Sequence, residues 1–99
     1  MSNEEIYDKE IAPALLELCK KAQDLGFSFV ASVEWERGEN GRTEYQPPAN
    51  KVGIAQLLVH WAARCNGNVD NLIWTIKKHG KEHGHSSIEL RLMEMRDAA

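Results

Sequence analysis

The longest stretch of this chain with a two-residue period lies between segments whose apolar residues recur every three or four positions. Phe27, Phe29, Ala31, Val33 and Trp35 alternate with Ser28, Ser32, Glu34 and Glu36, which predicts a strand with one face turned inward. An isolated strand pair is marginal in water, so a hairpin built on this strand must find cover from helices or pair its exposed edge with another copy. With 99 residues, 42% of them hydrophobic and 27% charged, the chain is expected to form a single α+β domain over 1–99. Its expected order is an N-terminal helix kinked at Pro13, a β-hairpin, a helical hairpin and a short C-terminal helix.

Local signals place the boundaries. Ser2 with Glu5 forms a capping-box pattern. Tyr7, Ile11, Leu15, Leu18, Ala22 and Leu25 then hold one helical face as far as Gly26, where a helix stop is expected. Pro13 removes a backbone donor and crowds the carbonyl of Lys9, so a kink or two abutting helices is expected there. Asn40-Gly41 predicts a two-residue hairpin turn, with Arg37 opposite Glu44 and a return strand over 42–46. A five-residue loop over 37–41 is the alternative register. Pro47-Pro48 ends the strand.

Asn50 is the expected cap of a helix with the stripe Ile54, Leu58, Trp61 and Cys65, widened by Leu57 and Ala62. Asn66-Gly67-Asn68 closes it and caps the next helix, over 69–83. Ser86 with Glu89 suggests a cap for a final helix, although Ile88, Leu90 and Leu92 also alternate as a third strand would.

Trp74 is the residue most suggestive of function. Val69, Leu72, Ile73 and Ile76, with Gly80, define the buried stripe of the 69–83 helix, and Trp74 projects nearly opposite it among Lys77, Lys78 and Lys81. A large aromatic in that setting must cover a second element of its own chain, a second subunit or a ligand. Trp61 and Trp35 fall on inward faces and read as core. Tyr45, placed near the outer end of the hairpin, is a weaker candidate for a contact surface.

Charge is unevenly distributed. Residues 1–50 hold five Lys/Arg against ten Asp/Glu, whereas 51–85 hold five against two and contain all four histidines. This asymmetry suits head-to-tail self-association or an acidic partner. It falls short of the strongly basic face expected of a nucleic-acid reader. Still, the 51–85 helical hairpin has the general format of a helix-turn-helix, and a nucleic-acid-binding regulator is the second reading. No apolar run approaches the roughly 20 residues of a membrane helix. The acidic start lacks the apolar core of an export signal, so an intracellular protein with Cys19 and Cys65 reduced is expected.

Enzymatic signals are sparse. His79 and His83 share a helix face at a spacing suited to zinc or nickel, with His85 nearby, and metal binding through them is the third reading. No cofactor is expected. His60, with Gln56 and Arg64, occupies the polar face of its helix. It is read as solvent-facing or interfacial, because no carboxylate or nucleophile lies beside it in sequence. A non-enzymatic protein is therefore expected.

The segments LLVHWAARCNGNVDNLIWTIKKHGKEHGHSS and FSFVASVEW resemble a group of small uncharacterised proteins encoded by tailed bacteriophages and prophages of Gram-negative bacteria. The resemblance implies an accessory or regulatory protein of the host cytoplasm that acts through self-association and contact with host or phage proteins. It transfers no active residues.

Overall fold

The computed structural model describes residues 1–98 and is α+β. The chain divides into two units, Met1–Asn66 and a second beginning at Gly67.

In the first unit, helix α1 (Asn3–Ile6) runs through a π-helical turn (Tyr7–Ile11) into α2 (Ala12–Asp24). Ser2 caps α1, its Oγ accepting from the Glu5 amide at 3.2 Å. Pro13, which cannot donate to Lys9, sits in the first turn of α2, where its missing N–H matters least. The wider π turn bridges the site, with the Ala12 amide donating to the Tyr7 carbonyl. The extra residue also rotates the buried stripe. Tyr7 and Cys19 are buried and Ala12, Leu15 and Ala22 partly covered, while the expected core positions Ile11, Leu18 and Leu25 face solvent. The helix ends in a Schellman arrangement, Phe27 N–H to Ala22 O at 2.8 Å and Gly26 N–H to Gln23 O at 3.0 Å. Phe27 lies before the strand and is exposed, contrary to the expected alternation.

Strands β1 (Phe29–Glu36) and β2 (Glu39–Tyr45) form an antiparallel pair. The turn is at Arg37-Gly38, neither of the expected registers, and Asn40 and Gly41 lie within β2 opposite Glu34 and Val33. A turn at Asn40-Gly41 would have met Pro47 after pairing only the end of β1. The observed register runs back to Phe29↔Tyr45 and so satisfies far more backbone groups. Gly38, at φ +84°, supplies the positive φ that the turn needs. Gly41 has a different task, since a Cβ there would collide with the Tyr7 ring. Gly41→Ala is expected to destabilise by about 2 kcal/mol, as measured by urea unfolding; an unchanged midpoint would show that the ring moves aside freely.

The two faces of the hairpin have different covers. Tyr7 packs against Trp35, with ring centroids 4.7 Å apart. The other face meets α3 (Ile54–Cys65), where Asn40 donates to Asn66 Oδ1 at 2.9 Å beyond the helix end. Gly53, after a 3-10 turn at Ala49–Lys51, occupies the N-cap position expected for Asn50. Leu57, His60 and Trp61 are the buried residues of α3, whereas Ile54 and Leu58 are exposed. The helix is thus rotated from its most apolar stripe toward its polar one. Cys19 and Cys65 are free thiols.

The second unit is built from α4 (Val69–His83) and α5 (Ile88–Ala98). Asn68 caps α4 by accepting from Asn71 N–H at 3.0 Å. Ser87, one residue after the expected Ser86, caps α5 by accepting from Leu90 N–H at 3.1 Å. The 88–98 segment is helix, which excludes the third strand. Gly80 is buried: a Cβ there would lie 2.8 Å from His85 Cδ2 and 2.9 Å from Leu90 Cδ2. Among the described residues, no helix is long and apolar enough to cross a membrane.

Candidate functional site

Two groups of side chains stand out, one in each unit. In the second unit, Trp74 is 60% exposed. It lines a groove of about 490 Å³ with Lys77, Lys78, Lys81, Glu94 and Asp97. Helical spacing brings this about, because positions 74, 77, 78 and 81 fall on one face of α4. Lys78 Nζ stands 5.2 Å from the indole centroid, a cation–π contact. Lys77 is paired with Asp97 across the groove. That hydrogen bond holds the Asp97 carboxyl below its ordinary range, against a smaller desolvation effect. The groove therefore combines an apolar plate with three ammonium groups and two carboxylates.

Tyr45 has no part in this groove. It lies in the first unit, half-buried at the open end of the ladder opposite Phe29, because the turn at Arg37-Gly38 comes earlier in the chain than expected and leaves Tyr45 farther from the hairpin tip. The histidines are not assembled as a set. His79 and His83 stack with ring centroids 4.7 Å apart, but His85 is engaged elsewhere. Its Nδ1 accepts from Ser87 N–H at 3.1 Å, which leaves Nε2 to donate to Glu94 Oε1 at 2.8 Å. Among the described residues, no group of three or more His, Cys, Asp or Glu is placed to hold a metal ion.

The second group was not anticipated. His60, expected at the surface, has 0% of its area exposed. Its Nδ1 lies 2.7 Å from Glu44 Oε2 and its Nε2 lies 2.7 Å from Ser28 Oγ. The other oxygen of Glu44 accepts from Arg64 Nε at 2.8 Å and faces Arg42 Nε at 3.4 Å. Burial alone would raise the Glu44 pKa, but the hydrogen bonds from Arg64 and His60, with the charges of Arg64 and Arg42, hold it below the ordinary 4.5. An ionised Glu44 can only accept. Nδ1 of His60 must then carry a proton, and in neutral imidazole Nε2 is left to receive the Ser28 hydroxyl proton. The carboxylate and the hydroxyl that His60 lacks in sequence are thus supplied from the open end of the hairpin, Glu44 from β2 opposite Val30 and Ser28 from just before β1. Gln56 and Arg64, four residues either side of His60, are the local hints, since they mark further polar residues on the same helix face.

No family model matches the sequence, and neither a curated protein nor a solved structure matches it.

Proposed function

We propose that this protein acts through self-association, the Trp74 groove of one copy receiving the acidic hairpin tip of another. The role fits an accessory or regulatory protein of a phage or prophage, as the sequence resemblance implies. The observation that carries the proposal is the exposed indole among unpaired and paired lysines, which needs a partner both apolar and acidic. The chain itself offers such a partner. Glu34, Glu36 and Glu39 are exposed around the Arg37-Gly38 turn, and Glu36 and Glu39 border a shallow groove with Glu4 and Trp35. Carboxylates at the tip would meet Lys78 and Lys81, while the aliphatic parts of the glutamates cover the indole. Glu94 and Asp97 in the groove, and Asp70 in the first turn of α4, disfavour a nucleic-acid phosphate in the same place.

Charge reversal tests this directly. Sedimentation equilibrium should show a mean mass that rises with protein concentration and falls with salt. Lys78→Glu with Lys81→Glu, or Glu36→Lys with Glu39→Lys, should weaken association at least tenfold, and mixing the two variants should restore it. Mixed variants that stay monomeric would overturn the pairing. A groove variant that loses salt-sensitive binding to random-sequence DNA would favour the nucleic-acid reading instead.

A further inference from the structure

We propose that Ser28, His60 and Glu44 form an acyl-accepting centre in the first unit, with Ser28 Oγ as nucleophile toward small activated carboxylic esters. The proposal goes beyond the interaction reading and is independent of the Trp74 groove, which lies in the other unit.

Three observations carry it. The contacts run in the order a base-activated hydroxyl requires: carboxylate to Nδ1 at 2.7 Å, then Nε2 to Oγ at 2.7 Å. The carboxylate is kept ionised and oriented by two arginines on its other oxygen, so Oε2 remains committed to the imidazole. This fixes which ring nitrogen carries the proton, as the triad logic demands. Third, the base is sealed while the nucleophile is not. His60 is wholly buried and Ser28 only half-buried, and Ser28 follows the exposed Leu25 and Phe27, apolar side chains against which an acyl chain can rest.

The step balances without any cofactor. Ser28 Oγ bonds to the ester carbonyl carbon as its proton passes to His60 Nε2. The C–O bond to the leaving group then breaks, and the departing alkoxide takes that proton from Nε2. Water then adds to the acyl carbon as Nε2 takes its proton; the C–Oγ bond breaks, Oγ recovers that proton from Nε2, and the carboxylic acid leaves.

The test is native wild-type protein treated with a fluorophosphonate and, separately, with p-nitrophenyl acetate, followed by peptide mapping. The expected result is one adduct, on Ser28, absent when the chain is labelled in urea. Ser32→Ala, on an exposed strand position, should label like wild type. His60→Gln should slow labelling by roughly 100-fold or more, and Glu44→Gln by about tenfold, with circular dichroism reporting the fold. Native protein that carries no adduct on Ser28 would overturn the proposal, as would labelling that proceeds equally in urea. Because the urea comparison uses only wild type, it decides the matter even if His60→Gln does not fold.

Discussion

Glu44→Ala should destabilise the first unit by about 3 kcal/mol, since it leaves a buried imidazole N–H and two arginines without their shared acceptor. In a unit of this size that corresponds to a fall in Tm of about 15 °C. The carboxylate is only 15% exposed and joins β2 to α3 through both oxygens, so no solvent molecule substitutes fully for it. The effect should also depend on pH. Because the Glu44 pKa is lowered on folding, its contribution is fully present above 4.5 and is lost as pH falls through its folded value. The stability difference between wild type and Glu44→Gln should therefore shrink below pH 4. A difference that stayed constant down to pH 2 would show that the carboxylate charge is not what stabilises this contact.

Leu90→Ala is the second large effect expected, about 3 kcal/mol, from the loss of the buried apolar residue of α5. Leu90 packs where Gly80 lets α5 approach α4, and most other apolar residues of α5, including Ile88, Leu92 and Met95, are exposed. Few other side chains can compensate. Hydrogen exchange should show the amides of 67–98 losing protection while those of 1–66 keep theirs. Uniform loss across both segments would mean that the two units unfold together.

Elements with strong local signals were readable from residues alone. Ser2, Asn68 and the stop at Gly26 act as their side chains or backbone freedom dictate, because a cap is decided by atoms within four residues of it. Trp74 belongs to the same class: helical geometry alone puts it with Lys77, Lys78 and Lys81. Its groove was half visible, since Glu94 and Asp97 come from another helix.

The hairpin register was not readable. Asn40-Gly41 has better local turn chemistry than Arg37-Gly38, yet the longer ladder and the space that Gly41 gives Tyr7 outweigh it. A turn placed at Asn40-Gly41 also hides that Glu44 faces His60. The rotation of α3 was obscured for a related reason. Apolarity ranks Ile54 and Leu58 above His60 as core positions, but that ranking assumes an apolar neighbour, and β2 presents Glu44 and the residue before β1 is Ser28 instead.

By itself, then, the sequence determined the α+β class, the helix ends at Ser2, Gly26 and Asn68 and the lysine–indole face of α4, the last two of which rest on interactions between near neighbours. The tertiary structure alone decided where β2 pairs, which face of α3 turns inward and that Ser28, His60 and Glu44 meet. Those outcomes depend on residues 16 and 32 positions apart. A polar side chain is stable in a protein interior only when distant partners satisfy it, and no local pattern records whether they will.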